Sequence, residues 1–466
     1  MSENSHSWRQ RLVLLQELLK LGLPIVVSMA ALIGLGVTDT FMVGLASTRD
    51  LAALAIGTNL YFVSVMLLIG LLSVVAPRVS WKLGAERVEE IAGETHQAMW
   101  LGVTVGVLLV MLMLLALPLL GLLGLADEVE QAAGRYLQII CWSLPFVGAN
   151  TAIRNTLDGL HHTGLNMLIS LAVFLLNIVL DYLLVFGKAG FPQMGVSGCA
   201  VASVVVVLVQ SGLYLLLTHR HRDLSRYKLL HRFEWPEFGT LKTLSILGVP
   251  AGLALTLEEG FFSSTALLVA PMGTNHLAAH QIVLNITLVS LIVPIALGQA
   301  AAILVGRSIG QRRFLQARHQ ALFTMLVVAA LMSVFGGFIF LNRELLLGVY
   351  TVDIQVLGLG MSILAICSIH LFFDGLQIAA GIALKGYQDT LIPALMQIVS
   401  YWLIGFPLAY FLSRPTLFGD GLGLDGIWLA MLIAISCASF INVGRLFKVS
   451  QRYVQGKRGL LKTGTL

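Results

Sequence analysis

The sequence predicts an all-α integral membrane protein, with twelve transmembrane helices arranged as two six-helix bundles. Its 466 residues are 57% hydrophobic and only 11% charged, with a mean hydropathy of +0.88. Uncharged runs of about 18 residues or more, the length that crosses a bilayer as a helix, recur along the chain. The chain also repeats itself at a nearly constant interval, which predicts two related halves.

Charged residues divide the apolar sequence into spans that are each long enough to cross a bilayer. The spans begin near residues 21, 52, 97, 136, 163, 195, 243, 277, 320, 354, 391 and 426. Backbone groups must be paired inside hydrocarbon, so only helices and closed barrels cross it. Because the alternating pattern of barrel strands does not appear, the spans are predicted to be helices.

Basic residues predict the orientation in the membrane. If the N-terminus, the even-numbered loops and the C-terminus share one side, the other side holds only five of the 29 Lys and Arg residues. These are Arg49, Arg135, Lys188, Arg343 and Arg414. Because cytoplasmic loops carry the excess of Lys and Arg, both termini are expected in the cytoplasm. The net charge of +5 then reflects topology, and no nucleic-acid partner is expected.

A shift of 226 positions superposes Gly22 on Gly248, Pro24 on Pro250 and Leu51-Ala52-Ala53 on Leu277-Ala278-Ala279. Matches that continue across loops and helices indicate a duplication. Six spans per half is an even number, so both halves cross in the same direction. They are therefore related by a pseudo-two-fold axis along the membrane normal. Two such lobes are expected to face each other across a cavity and to rock, which exposes it to each side in turn.

The predicted N-lobe is residues 1–218, and the predicted C-lobe is residues 243–466, which ends in a basic cytoplasmic tail. Residues 219–242, the densest basic cluster, form the linker between the lobes. We interpret this linker as a cytoplasmic topological anchor that contacts anionic lipid.

The first span has two notable features. Apolar residues recur at helical spacing before it, at Trp8, Leu12, Leu15 and Leu19. We favour a short amphipathic helix at the inner interface for this segment, with a simple extension of the first span as the alternative. Pro24, repeated as Pro250, weakens the helical hydrogen-bond ladder and is a candidate hinge.

Five acids, Asp39, Asp181, Glu258, Glu259 and Asp374, lie inside otherwise apolar stretches. An acid at the centre of a membrane helix costs about 2.5 to 3.5 kcal/mol even on the lowest scales. Such residues are functional-site candidates by default, and ion or substrate handling is the function that they indicate.

In the N-lobe, Asn177 and Asp181 are four residues apart and therefore share one face of the fifth span. With Asp39 from the first span, they offer two carboxylates and an amide, an oxygen-rich set that suits a proton or Na⁺. The alternative interpretation is that Asn177 and Asp181 only bond neighbouring helices.

In the C-lobe, His370, Asp374 and Gln377 form a polar patch on one side of the tenth span. Glu258 is the expected partner of Asp374. Glu258 and the adjacent Glu259 point about 100° apart, so at most one of them faces a site squarely, and the other is expected at a helix interface.

Other residues indicate no chemistry of their own. Cys141, Cys199, Cys367 and Cys437 have no metal-type spacing and are interpreted as small core hydrophobes. The chain has no P-loop, no H-E-x-x-H and no G-x-S-x-G. Neither an enzyme nor a cofactor is expected.

With these acids and this doubled plan, the chain resembles the multidrug and toxic compound extrusion (MATE) transporters, in particular their bacterial NorM-like branch. The segments that carry the resemblance are Val37-Thr38-Asp39-Thr40, Asn177-xxx-Asp181, Gly252-Leu253-Ala254-Leu255-xx-Glu258, Asp374-Gly375-Leu376-Gln377 and Lys385-Gly386-Tyr387-Gln388-Asp389-Thr390. The resemblance implies two six-helix bundles around a V-shaped central cavity. It also implies export of cationic, often aromatic drugs in exchange for H⁺ or Na⁺, in the bacterial inner membrane.

Residue by residue, the resemblance places Asp39, Asn177 and Asp181 in the family's N-lobe cation site. It places Glu258 and Asp374 in the C-lobe cation site, and Pro24 at the bend of the first helix. His370 stands where NorM-like relatives can have a tyrosine. Because histidine titrates near neutral pH, it favours proton coupling over Na⁺, although these residues allow either ion. No other metal is expected.

We therefore expect a secondary antiporter for cationic, lipophilic or aromatic drugs that works by rocker-switch alternating access as a monomer among membrane lipids. Candidate substrate contacts in the cavity are the aromatic residues Phe41, Tyr61, Phe261, Phe262 and Phe373, whose ring faces attract cations, together with Gln377. The alternative is a flippase for lipid-linked or amphipathic substrates. Pyrophosphate headgroups would need basic residues inside the spans, whereas those here are mostly acidic.

Overall fold

The computed structural model describes residues 2–225, 227, 229, 234–414 and 421–463, with side chains from residue 11 to residue 456 apart from residues 123, 222 and 225. Over these residues the regular elements are helices. Trp8 and the basic residues Arg226, Lys228 and Arg232 of the linker lie outside the described side chains.

The first half contains helices α1 Ser2–Ala46, α2 Thr48–Leu72, α3 Val75–Gly84, α4 Glu90–Ala116, α5 Asp127–Ile140, α6 Leu144–Gly159, α7 Thr163–Phe186 and α8 Val196–Arg220, followed by the short α9 Arg222–Ser225. Leu117–Leu123 and Cys141–Ser143 are 3₁₀ turns.

The second half contains α10 Phe238–Val269, α11 Thr274–Gly310, α12 Phe314–Leu341, the short α13 Arg343–Gly348, α14 Ile354–Gly386, α15 Leu391–Ile398, α16 Phe406–Ser413 and α17 Gly423–Thr463. Ala270–Met272 is a 3₁₀ turn, and the π-helical segment Val399–Gly405 joins α15 to α16.

Among the described residues, eleven helical runs are apolar and long enough to cross a membrane. The span predicted near residue 136 lies on two shorter helices, α5 and α6, which the turn Cys141–Ser143 separates. Pro145 in the first turn of α6 has no N–H with which to continue the ladder from α5. The predicted fold class, an all-α integral membrane protein, is confirmed.

Helix α1 continues without a break from Ser2 through Pro24 to Ala46. The segment that carries Leu12, Leu15 and Leu19 is therefore an extension of the first span, the second of the two alternatives. A proline inside a membrane helix is tolerated because neighbouring groups satisfy the freed backbone.

The chain forms two compact units, residues 23–253 and residues 1–22 with 254–466. This division differs from the predicted lobes, because the start of α1 belongs to the second-half unit and the start of α10 to the first-half unit. Each boundary lies inside a helix and within four residues of a proline, Pro24 or Pro250.

Close helix contacts explain this grouping. In the first-half unit, a Cβ added to Gly70 of α2 would lie 2.6 Å from the Cα atom of Gly252 in α10, so only glycine allows this approach. In the second-half unit, a Cβ on Gly22 of α1 would lie 3.0 Å from the Leu297 side chain of α11. Small residues allow such contacts in membranes, where dispersion rather than water exclusion drives association.

The linker is held on the first-half unit by helix α4. Three of its side chains bond linker backbone: His96 Nε2 donates to the Leu229 carbonyl (2.6 Å), Gln97 Nε2 to the Trp235 carbonyl (2.9 Å) and Trp100 Nε1 to the Glu234 carbonyl (3.0 Å). Gln97 also accepts from the Glu237 N–H at 2.8 Å. Leu224, Tyr227 and Leu229 of the linker are buried in the core of this unit. The described part of the linker is therefore a docked segment, a role that its basic composition did not predict.

We predict that Gln97→Ala loosens the linker, because it removes the hydrogen bonds to the Trp235 carbonyl and the Glu237 N–H, each worth about 0.5 to 1.5 kcal/mol. The expected result is a lower midpoint of thermal unfolding in detergent and faster trypsin cleavage within residues 219–242. Gln131→Ala, at an exposed position of α5, is the matched control. Equal cleavage rates for the two variants would contradict the docking role of Gln97.

Candidate functional site

The first-half site consists of Asp39 on α1, Asn177 and Asp181 on α7, and Cys199 on α8. The four-residue spacing on α7 brings Asn177 and Asp181 to one face, and both are buried. Asn177 Nδ2 donates to Asp39 Oδ1 at 3.2 Å. One carboxylate oxygen of Asp39, one of Asp181 and the Cys199 Sγ all lie within 4.8 Å of one another. The three residues predicted for the N-lobe site therefore come together, and the sequence analysis missed Cys199.

Asp181 is the least satisfied group of this site. Its side chain is 0% exposed, and neither carboxylate oxygen has a hydrogen-bond partner. The Oδ1 atom of Asn177 is also buried without a partner. Because a buried charge is very costly unless it is paired, this carboxyl group requires a proton or a cation.

The second-half site surrounds Glu258 of α10. Gln377 Nε2 of α14 and the Tyr401 hydroxyl each donate to Glu258 Oε1 at 3.2 Å, and Gln397 Nε2 donates to Oε2 at 3.3 Å. Gln377 also bonds the Tyr401 hydroxyl. Glu258 makes these contacts, and it is the residue that the family resemblance, rather than the spacing on α10, selected from the adjacent pair Glu258 and Glu259.

A local departure from α-helical geometry positions Tyr401. The segment Val399–Gly405 is π-helical, a form that is frequent at functional sites. Within it Tyr401 stacks on Phe261 with ring centroids 5.2 Å apart, and Trp402 Nε1 donates to the Leu257 carbonyl at 3.0 Å. The stacking on Phe261 and the hydrogen bond of Trp402 therefore fix the position of Tyr401 beside Glu258.

Asp374 lies on α14, one turn before Gln377, and is 0% exposed. His370 Nε2 lies 3.5 Å from Asp374 Oδ2, but neither carboxylate oxygen of Asp374 has a hydrogen-bond partner. The His370 ring meets Trp428 edge-on at 5.9 Å. Trp428 Nε1 in turn donates to His280 Nδ1 at 3.1 Å, so His280 is a buried neighbour of this site.

Two acids outside the sites, one in α4 and one in the loop after α14, have basic partners of the kind that the site acids lack. Glu94, which is 1% exposed, pairs with Arg78 and with Lys82. Asp389 pairs with Arg445 at 2.7 Å. Among the ion pairs found in the described part of the chain, Asp39 and Asp181 take no part, and Asp374 meets only His370. In the described part of the chain, these three acids are therefore buried without an arginine or lysine partner.

The predicted aromatic contacts occupy different environments. Phe261 is 0% exposed and supports Tyr401, so it faces the core, whereas Phe41 is 62% exposed. The Tyr61 hydroxyl bonds the Ser143 hydroxyl at 2.7 Å. Phe262 and Phe373 are partly buried against the core of the second-half unit.

Sequence reasoning missed Gln397 and Tyr401 as well as Cys199. Gln397 and Tyr401 are four residues apart in an apolar span, which is the same i,i+4 polar signal that identified Asn177 and Asp181. Cys199 gave no signal of its own, because a cysteine in an apolar helix is most often a small core residue.

Comparison with known proteins agrees with this geometry. The family model MatE matches residues 24–183 and again residues 250–411. The two matches begin 226 positions apart (250 − 24), which is the shift found in the sequence, and together they cover more than half of the chain.

Similar proteins cover nearly the whole chain. A probable multidrug resistance protein NorM from Mannheimia succiniciproducens is 30% identical over 96% of this chain and 96% of its own length. The multidrug resistance protein MdtK from Proteus mirabilis is 29% identical over 94% of this chain and 96% of its own length. The crystal structure of the eukaryotic MATE transporter AtDTX14 has the same fold, with a TM-score of 0.85 at 19% identity over 95% of this chain and 98% of that one. The chain belongs to the MatE family of membrane transporters and is a transporter rather than an enzyme.

Proposed function

We propose that the protein is a secondary antiporter that exports cationic, lipophilic or aromatic drugs in exchange for H⁺ or Na⁺. It works in the bacterial inner membrane as a monomer, with both termini in the cytoplasm. The names of its relatives, multidrug resistance proteins of bacteria, support the substrate class. The predominance of acids among the ionisable residues inside its spans supports a cationic substrate.

One observation carries the proposal: Asp181 and Asp374 are each 0% exposed, and within the described ranges of the chain none of their carboxylate oxygens has a hydrogen-bond partner. A membrane protein retains such groups at a cost of several kcal/mol only when they have a task. In each unit the task is the same, since a buried acid binds one positive charge and releases it when another replaces it.

Exchange follows from charge balance. An ionised carboxylate binds a lipophilic cation, and the same carboxylate releases it when it accepts a proton or Na⁺. Drug and coupling ion therefore compete. A ligand shifts the balance between inward-facing and outward-facing states only if it binds the two states unequally, so the exposure of the acids must change between them.

The residues fit either coupling ion. Carboxylate and amide oxygens of Asp39, Asn177 and Asp181 suit a hard cation such as Na⁺, as do those of Glu258 and Gln377. His370 beside Asp374 favours a proton over Na⁺ in the second-half unit, because a hard cation such as Na⁺ prefers oxygen ligands and His370 presents a nitrogen.

Pro24 and Pro250 are the proposed hinges of the conformational change. Each lies within a long helix and beside a boundary between the two compact units. A break in the hydrogen-bond ladder at these points lets the two parts of one helix move with different units.

We predict that Asp374→Asn and Asp181→Asn lower gradient-driven ethidium transport in everted vesicles by at least about tenfold, the equivalent of about 1.4 kcal/mol. An amide has the shape of the acid but cannot alternate between charged and neutral forms. Transport is measured against its concentration gradient, with a pH gradient and a Na⁺ gradient imposed in separate assays. Glu259→Gln removes a neighbouring acid of α10 and should leave transport intact. Parental rates in both amide variants would contradict the site assignment.

We also predict that Tyr401→Phe moves the pH profile of proton-driven transport upward by about one pH unit. The change removes a donor to charged Glu258 that contributes roughly 1.5 kcal/mol, so the proton leaves only at a higher pH. The profile is compared with that of Tyr410→Phe, whose hydroxyl bonds Arg414 rather than an acid. Coincident profiles for the two variants would show that the Tyr401 hydroxyl does not tune Glu258.

A further inference from the structure

Cys199 distinguishes the first-half site from the second-half site. It lies in the first turn of α8, is 0% exposed, and is a free thiol. One carboxylate oxygen of Asp39 lies within 4.8 Å of its Sγ atom, and Asn177 donates to the same carboxylate group. The groups that contact Glu258 in the second-half site are two amides and a phenol, with no sulfur among the described contacts.

We propose that Asp39, Asp181 and Cys199 form a binding site for a soft divalent cation of the Zn²⁺ and Cd²⁺ class. Their three ligand atoms lie within 4.8 Å of one another, and in the described residues no other such cluster of His, Cys, Asp and Glu is found. Two ligand atoms on one tetrahedral Zn²⁺ are about 3.5 Å apart, given bonds of roughly 2.0 to 2.3 Å. Small side-chain rotations bring the three atoms to that separation.

An independent observation points to a ligand here. Both oxygens of Asp181 and the Oδ1 of Asn177 are buried without partners, in side chains that are 0% and 1% exposed. Two carboxylates and a thiolate carry three negative charges, which one divalent cation largely neutralises. The thiol proton, and any proton that the two carboxyl groups hold without the metal, leave to solvent as the metal binds, so binding weakens as the pH falls.

The sulfur determines which cations bind. Thiolates select Zn²⁺, Cd²⁺ and other soft ions, whereas Na⁺ and Mg²⁺ prefer oxygen ligands alone. A soft ion would occupy the acids that the proposed function assigns to drug and coupling ion. The bound ion would therefore inhibit transport. This inhibition rests on the proposed function, whereas the binding itself does not.

The test is a Cd²⁺ titration of the purified full-length protein in detergent, without any ion gradient. Calorimetry reports affinity, and the ultraviolet thiolate-to-metal absorption reports sulfur ligation. The parent is expected to bind one Cd²⁺ with this absorption. Cys199→Ser and Cys199→Thr should abolish the absorption and weaken binding by at least about 10- to 100-fold, the loss that even changes outside the ligand shell cause.

Two controls isolate the site. Glu258→Gln, in the second-half site, should bind Cd²⁺ like the parent, whereas Asp181→Asn should weaken binding but keep the absorption at saturating Cd²⁺. Thermal unfolding of each variant verifies that it is folded. A parent without the absorption, or parental affinity in both Cys199 variants, would overturn the proposal.

Transport assays separate this inference from the proposed function. Cd²⁺ inhibition is expressed for each protein as the ratio of its own ethidium transport rates with and without the ion, and a smaller fractional inhibition of Cys199→Ser than of the parent supports the metal site. Equal inhibition of the parent and Cys199→Ser would overturn the inference and leave antiport untouched. Loss of gradient-driven ethidium transport in Asp374→Asn and Asp181→Asn tests the proposed function alone.

Discussion

The cost of placing a carboxylate in a medium of low dielectric constant is the constraint on which this structure depends. The chain meets that cost in two ways. Glu94 and Asp389 are neutralised by arginine or lysine from the protein itself, so their charges are permanent features of the fold. Asp181 and Asp374 are buried and, among the described residues, have no arginine or lysine partner, so in ionised form they would need a neutralising cation from outside the protein. The distinction separates acids that hold helices together from the acids to which we assign transport.

The two halves solve this problem with different residues. Asp39 has Thr265 as its counterpart in the second half, and Thr265 contacts His280 rather than an acid. Glu258 is surrounded by amides and a phenol, whereas the first-half acids have a thiol and an amide. The duplicated backbone thus supplies equivalent helices, and the side chains on them have diverged. Two non-identical sites can respond to different ions or to different steps of one cycle.

Much of the fold and the acids of both sites follow from the sequence because they depend on local patterns. Apolar run length predicts the spans, and the i,i+4 spacing predicts that Asn177 and Asp181 share a face. The roles of Tyr401 and Cys199 depend on which helix lies beside which, and on a π-helical turn that no local pattern marks. The docking of the linker on His96 and Gln97 is also tertiary, and the basic composition of the linker concealed it.

The division of α1 and α10 between the two units has a consequence for the history of the chain. Each half contributes one terminal stretch, residues 1–22 or 238–253, to the compact unit of the other. In an assembly of two identical subunits, this arrangement would be a reciprocal domain swap. The duplicated chain has the form that gene fusion of such a swapped homodimer would produce. Neither half is then a self-sufficient folding unit, and fragments produced separately would have to reassemble with each other to recover both cores.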